Sequence, residues 1–147
     1  MTHGAQRFEL PKWECFSLLR NEGIGRLCIV DHGYPVAFPV NYSMQGVDDS
    51  ISAVVRTAPG TVMGQYEGLA SLEVDHIDLT AGTAWSVIIR GNLHRVVGTH
   101  QLPDPEPMLT EGRDRWVELV PTAVTGRRFT VRVSPDGFPV EWQLVAG

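Results

Sequence analysis

Several features that mark large classes of protein are scarce in this sequence. The chain has two cysteines, Cys15 and Cys28, which lie 13 positions apart and form no CxxC pair. We therefore expect two reduced, buried thiols, as in a cytoplasmic protein. No apolar run is long enough to span a bilayer, and the first residues lack the apolar core of a signal peptide, so we expect no membrane partner.

Positive charge is also in short supply. The chain has 12 Lys and Arg residues against 17 Asp and Glu residues, which gives a net charge of -5. Proteins that bind nucleic acid or anionic lipid through charge need the opposite balance, so we expect no nucleic acid partner. A local basic patch can still hold a single phosphate.

The motifs of common catalytic and metal sites are missing as well. The sequence has no GxSxG, HExxH, P-loop or GxGxxG motif, and its five histidines match no zinc spacing. Glu73 and Asp75 share one face of a predicted strand, where a hard metal ion is conceivable. Such a pair is more typical of a solvated outer sheet face, so we predict no metal site. We also name no catalytic acid or base.

The sequence does contain a clear strand pattern. With 147 residues, of which 43% are hydrophobic, the chain has the size of one domain spanning residues 1–147. In residues 25–42, apolar side chains alternate on both sides of a turn in which Gly33 supplies a positive φ, which predicts a β-hairpin. Pro11 at a first helical position and Gly23 as a left-handed stop predict a helix between them.

Further strands are predicted at residues 51–56, 68–77, 84–97, 116–120 and 127–133. We expect a bulge or corner at Gly91, a loop at 98–113 and a turn at 121–126. Six or seven short strands with one clear helix favour a mainly β fold. This pattern predicts a barrel or sandwich in which the helix covers one opening.

Two strands carry residues that could contact a ligand. Pro39 precedes Asn41 by two positions, and a proline within a strand belongs at an edge, at a bulge or where something other than a strand faces the backbone. A ligand lying along the strand and an edge strand with a surface Asn both fit this pattern. Trp85, next to Ser86, can stack on a planar ring or fill the core.

Residues 56–61, with the sequence RTAPGT, offer the groups that a phosphate monoester needs. Arg56 supplies a guanidinium, Thr57 and Thr61 supply hydroxyls, and Gly60 leaves backbone N–H groups accessible. A turn with a surface arginine and a threonine cap is the alternative interpretation.

Taken in order, these segments resemble the pyridoxamine 5'-phosphate oxidase-like group of flavin-binding split barrels. The resemblance rests on Glu14-Cys15 and Leu18-Leu19 of the predicted helix, Ile24-Gly25-Arg26-Leu27, Phe38-Pro39-Val40-Asn41-Tyr42, residues 56–61, Trp85-Ser86-Val87, Arg90-Gly91 and Gly126-Arg127-Arg128. It implies a six-stranded Greek-key split β-barrel with one or two short helices. It also implies a homodimer with two flavin sites at its interface.

The resemblance further implies which residues hold the cofactor. The strand with Pro39, Val40 and Asn41 would run along the flavin ring. Ser86 would present a polar side chain near the dimer seam. We further predict that Trp85 walls the pocket, from either protomer. The phosphate would be held by a segment whose members are Arg56, Thr57, Ala58, Gly60, Thr61 and Val62.

One position departs from the family pattern. Relatives commonly carry Lys directly after the Gly-Thr pair, whereas this chain has Val62. Loss of a cation from a phosphate site costs on the order of 1.5–3 kcal/mol, the scale of a charge-assisted hydrogen bond. This corresponds to a roughly tenfold to hundredfold lower affinity. Three outcomes stay open: weakly bound FMN, a deazaflavin with a longer phosphate-bearing tail, or an empty site.

The leading hypothesis is therefore a cytoplasmic, homodimeric FMN-binding oxidoreductase that acts on a small-molecule substrate. A second hypothesis is a deazaflavin-dependent reductase on the same fold. A third is a non-catalytic dimer that binds haem, a flavin or another small ligand. Haem needs an axial ligand, and His76 or His94 facing the cavity would favour it.

Overall fold

The computed structural model describes residues 8–57, 65–96 and 115–146. Within these ranges the chain is mainly β, and no helix is long and apolar enough to cross a membrane. Two short helices lie wholly within the described residues, namely α1 (Lys12–Asn21) and a 3-10 turn at Asp48–Ser50. The strands are β1 (Ile24–Asp31), β2 (Tyr34–Gln45), β3 (Ser52–Thr57), β4 (Gly68–Asp78), β5 (Thr83–Arg95), β6 (Arg115–Val133) and β7 (Pro139–Leu144).

The strands form one antiparallel sheet in the order β3-β2-β1-β4-β5-β6-β7. An additional ladder joins β3 to β6, from Ala53 opposite Leu119 to Thr57 opposite Arg115. This ladder closes the six strands β1 to β6 into a ring. The predicted six-stranded split barrel is therefore confirmed, with β7 added outside the ring. The predicted loop at 98–113 lies outside the described residues.

Strand β6 changes partner along one of its edges. Its first part pairs with β3, and its last part, from Phe129 to Val133, pairs with β7. Between these ladders the N-terminal segment takes the edge, with a bridge from Glu9 to Arg127 and a hydrogen bond of 2.8 Å from the Leu10 N–H to the Gly126 carbonyl. This segment leads directly into α1, so the β6 edge positions the helix.

Helix α1 covers one opening of the barrel, as predicted. Its Cys15, Phe16 and Leu19 are buried in the same cluster as the inward side chains of the strands. The buried Tyr42 hydroxyl donates to the Leu19 carbonyl at 2.6 Å and ties the helix end to β2. Burial raises the pKa of Tyr42, so this donor keeps its proton at any physiological pH.

The predicted hairpin and its turn are confirmed. β1 pairs with β2 from Ile24 opposite Asn41 to Asp31 opposite Tyr34, which leaves a two-residue loop. His32 has φ 50° and Gly33 has φ 81°. Positive φ at both central positions is the type I′ arrangement, whose twist matches that of the flanking strands.

Two local predictions are wrong. Gly23 is not a left-handed stop, because the chain leaves the helix in an extended conformation at Glu22, with φ -103° and ψ 176°. Residues 121–126 are not a turn, because β6 runs through them as one strand of 19 residues. Pro121 is accommodated opposite Gly91, where a register shift marks the expected bulge, with Thr122 of β6 as its extra residue.

Gly91 should tolerate no side chain. A Cβ at this position would overlap the carbonyl oxygen of Val120, whereas a Cβ at Gly23 would meet nothing within 4 Å. We expect Gly91→Ala to lower the free energy of unfolding by at least about 2 kcal/mol, since backbone must shift to relieve the overlap. Urea denaturation measures the change, with Gly23→Ala as the matched control. Equal stability of the two variants would contradict the observed bulge.

Candidate functional site

The edge of β2 is open where the ligand-contacting residues were predicted. β3 pairs with β2 only from Tyr42 to Gln45, so within the described ranges the preceding part of β2 pairs with β1 alone. The Tyr42 N–H donates toward β1, to the Gly23 carbonyl at 2.9 Å. Because backbone groups alternate in direction along a strand, those of residues 39 and 41 point away from β1. Pro39, which has no N–H, therefore sits at a strand edge, as predicted.

The three predicted ring-contacting residues of β2 do not share one environment. Val40 is buried in the core, and alternation directs its backbone groups toward β1, where it is opposite Gly25. Pro39 is exposed and Asn41 is half-buried, and both side chains lie on the outer face of the sheet. Contact between these residues and a cofactor stays a prediction.

The end of β3 brings Arg56 to the same corner of the barrel. Tyr42 pairs with Val55, so Asn41 and Arg56 are the next residues of their strands and share the outer face. The Arg56 guanidinium carbon lies 5.9 Å from the centroid of the Trp116 ring, its partner residue across the β3–β6 ladder. This stacking directs the guanidinium along the outer face.

The remainder of the predicted phosphate segment is only partly described. Thr57 is 1% exposed, and it lies on the core side of β3. Ala58, Gly60, Thr61 and Val62 lie outside the described residues. Their role in holding a phosphate stays a prediction.

Trp85 and Ser86 point to opposite faces of β5. Trp85 packs against the hydrophobic core. This contact agrees with the interpretation in which Trp85 fills the core. Ser86 lies on the outer face, opposite Asp75 of β4 and Arg127 of β6. Of this pair, Ser86 is therefore the one that faces outward.

A charged cluster lies between the outward residues of β2 and those of β5. Pro39 is opposite Arg26, Arg26 is opposite Glu73, and Glu73 is opposite Ile88, two positions from Ser86. Three strand spacings separate the ends of this row, roughly 14 Å. Residues of β2 and β5 in one copy are therefore too far apart to hold the same ring atoms.

This cluster consists of Arg26, Glu73 and Asp75. The Arg26 Nη1 donates to Glu73 Oε2 at 3.5 Å and to Asp75 Oδ2 at 3.3 Å. Burial, and then the hydrogen bond and charge of Asp75, raise the pKa of Glu73 to about 7. Arg26 opposes this shift, but its side chain is 57% exposed, so water screens its charge. Near neutral pH, Glu73 is therefore only partly ionised.

Glu73 and Asp75 were predicted to lie on a solvated outer face, but their side chains are only partly exposed to solvent. Side-chain exposure is 25% for Glu73 and 30% for Asp75. In the described part of the chain, no group of three or more His, Cys, Asp and Glu residues could hold a metal ion. The role of Arg26 was missed, because its partners lie 47 and 49 positions away in the sequence. The only sequence signal was its place in the Gly25-Arg26-Leu27 segment.

The two histidines considered as haem ligands lie away from the barrel interior. His94 Nε2 is 3.6 Å from Glu118 Oε2 on the outer face, and His76 Nδ1 is 3.9 Å from Glu22 Oε1 at the end of α1. Their side chains are 46% and 58% exposed, respectively. The cavity-facing histidine that haem would need is therefore not observed at either position.

The barrel, its open β2 edge and the order of its motifs can be compared with known families. The family model for pyridoxamine 5'-phosphate oxidase matches residues 11–128. The chain belongs to the pyridoxamine 5'-phosphate oxidase family. All predicted cofactor residues, from Pro39 to Ser86, fall within the matched range. No curated protein matches the chain significantly.

Solved structures of similar proteins share the fold. The FAD-binding protein from Mycobacterium smegmatis is 28% identical, with a TM-score of 0.67, and the match covers 83% of this chain and 98% of that one. A conserved protein of unknown function from Corynebacterium diphtheriae is 25% identical, with a TM-score of 0.68 and coverage of 84% and 97%. A protein from Corynebacterium glutamicum described as a pyridoxamine 5'-phosphate oxidase is 24% identical, with a TM-score of 0.67 and coverage of 88% and 98%.

The raised pKa of Glu73 gives this family member a pH-dependent stability. The folded state holds the Glu73 proton more tightly than the unfolded chain, whose carboxyl titrates near 4.5. The resulting stabilisation is complete below that value and is lost as the pH rises to about 7. We expect wild type to lose on the order of 1 kcal/mol across this window, after allowance for solvent screening.

Glu73→Gln removes this titration and should flatten the stability profile. Glu141→Gln is the matched control, because Glu141 also pairs with an arginine, Arg132, at 3.1 Å but is 45% exposed. Urea denaturation from pH 4 to pH 8 compares the variants. A wild-type stability that rises from pH 5 to pH 7 relative to Glu73→Gln would contradict the assignment.

Proposed function

We propose that this chain is a flavin-binding oxidoreductase that holds FMN at the interface of a homodimer and acts on a small-molecule substrate in the cytoplasm. One observation carries the proposal. The guanidinium of Arg56 shares the outer face of a barrel corner with Asn41, beside an open β2 edge. Membership of the pyridoxamine 5'-phosphate oxidase family and the FAD-binding relative from Mycobacterium smegmatis support it.

The residues at this corner fit the two ends of a flavin nucleotide. Arg56 offers a fixed fork of N–H donors, which suits a phosphate. The backbone at positions 39–41 offers an open strand edge along which a planar ring can lie. When bound, the flavin supplies the hydride chemistry, and the protein supplies binding, orientation and electrostatics.

The geometry of the outer face supports the proposed dimer. Asn41 and Ser86 lie on strands separated by β1 and β4, too far apart to close on one ring within a single copy. A second copy can bring its own Ser86 to the β2 edge of the first. The shared face would also cover Glu73 and Asp75, which are already largely shielded from water.

A second candidate function is a deazaflavin-dependent reductase on the same fold. Val62 stands where relatives commonly carry a lysine, and this favours it. A site with one cation fewer holds the single phosphate of FMN less strongly. A longer phosphate-bearing tail can compensate through contacts elsewhere.

The colour and ligand preference of the purified protein test these assignments. We expect a yellow protein with a flavin absorbance spectrum, or a colourless protein that acquires this spectrum on titration with FMN. Tight binding of FAD with no binding of FMN would mean that the protein uses FAD as its cofactor instead of FMN. Binding of deazaflavin alone would favour the second candidate. A Soret band, or no binding of any of the three, would overturn the proposal.

Opposite changes of charge should move FMN affinity in opposite directions. We expect Val62→Lys to tighten FMN binding about tenfold to hundredfold, because it adds a cation beside the phosphate. Arg56→Gln should weaken binding by a similar factor. Fluorescence titration with FMN measures both, with Arg132→Gln as the control, since Arg132 pairs with Glu141 at the far edge of the sheet. No change in either variant would mean that the phosphate lies elsewhere.

A further inference from the structure

A cleft lies on the outer face where β1 and β4 separate. These strands pair over three positions only, from Arg26–Cys28 to Ser71–Glu73, although β1 continues to Asp31 and β4 begins at Gly68. The gap beyond Cys28 forms a cleft of about 420 Å³. Small-molecule sites typically range from about 300 to 1,000 Å³.

Small side chains make the floor of this cleft. Cys28 of β1 is opposite Ser71 of β4, and Ser71 is opposite Arg90 of β5. The same row continues to Ala37 on one side and Ala123 on the other. The long Arg90 side chain therefore stands in a row of residues that are too short to cover it.

A bulge in β6 lies directly beside Arg90. Arg90 is opposite Ala123 and Gly91 is opposite Pro121, so Thr122 of β6 is the extra residue of the bulge. The Thr122 hydroxyl donates to the Arg90 carbonyl at 3.2 Å and holds this backbone in place. The position of the Arg90 side chain thus depends on a defined feature of the fold.

The Arg90 guanidinium has no carboxylate partner among the residues that the structure describes. By contrast, Arg26, Arg128 and Arg132 each form an ion pair, with nitrogen–oxygen distances of 3.3, 2.6 and 3.1 Å. Burial raises the pKa of the Cys28 thiol, so that this floor residue stays neutral at pH 7. The floor therefore presents one positive charge with no negative group to offset it.

The walls of the cleft are apolar. Val30, Pro35 and Leu69 line it, and all three are exposed to solvent. A ligand with an apolar body would remove this surface from water, which is favourable. The combination of one unpaired cation with apolar walls matches a particular class of ligand.

We propose that this cleft binds a small organic carboxylate with an apolar body. The carboxylate pairs with the Arg90 guanidinium and accepts a hydrogen bond from the Ser71 hydroxyl, while the apolar body packs against Val30, Pro35 and Leu69. The site does not depend on the flavin, because Arg90 and Ser71 are distinct from the residues assigned to that cofactor.

Benzoate and benzamide, which share a shape but differ in charge, test the proposal. By calorimetry with wild type, we expect benzoate to bind at least about tenfold more tightly than benzamide. Arg90→Gln should abolish this preference, and Arg90→Lys should retain part of it. Arg132→Gln, an arginine outside the cleft, should leave it unchanged. Equal binding of the two probes by wild type, or an unchanged preference in Arg90→Gln, would overturn the proposal.

A measurement on unmodified protein keeps the test independent of variant folding. In amide NMR spectra, benzoate should shift the signals of Cys28, Ser71 and Gly91 more than those of β7. Shifts confined to other regions would overturn the proposal. So would loss of the dimer in Arg90→Gln by analytical ultracentrifugation, since Arg90 would then contact a second copy instead of a ligand.

Discussion

The ladder between β3 and β6 is the constraint on which the rest of the molecule depends. Its five residue pairs, from Ala53–Leu119 to Thr57–Arg115, turn an open sheet into a closed six-strand ring. Closure removes two sheet edges that would otherwise expose unpaired backbone groups. It also encloses a core of inward Leu, Val and Ile side chains and places Arg56 against Trp116. One backbone ladder thus positions both the hydrophobic core and the proposed phosphate ligand.

Closure also explains why the barrel is split. β3 is short, so it pairs with only the last four residues of β2 and the first five of β6. The freed edge of β6 is taken by the N-terminal segment, which brings Cys15 against Gly126, and then by β7. The freed edge of β2 has no strand beside it among the described residues, and this edge is where a ligand can meet the backbone.

The outer face carries more chemistry than a solvated sheet face normally does. Glu73 and Asp75 lie on neighbouring outward positions of β4 and share Arg26, and their partial burial strengthens every interaction among them. Arg90, in the outward row next to that of Arg26 and Glu73, has no such partner in the described chain. The face therefore combines a neutralised cluster with a separate cation, so its two ends can serve different ligands.

The sequence by itself determined the local features, and the tertiary structure decided the distant ones. Alternating side chains, the His32-Gly33 turn and the donor-free Pro39 predicted the hairpin and its open edge, because these features depend on neighbours in the chain. The ordered motifs also predicted the family and the six-strand barrel. Pro121 and Gly126 suggested a turn, but pairing with β5, across a bulge at Thr122, made them part of one long strand. Likewise, only the β1–β4 pairing brings Arg26 to Glu73, 47 positions away, because such contacts are set by packing rather than by local propensity.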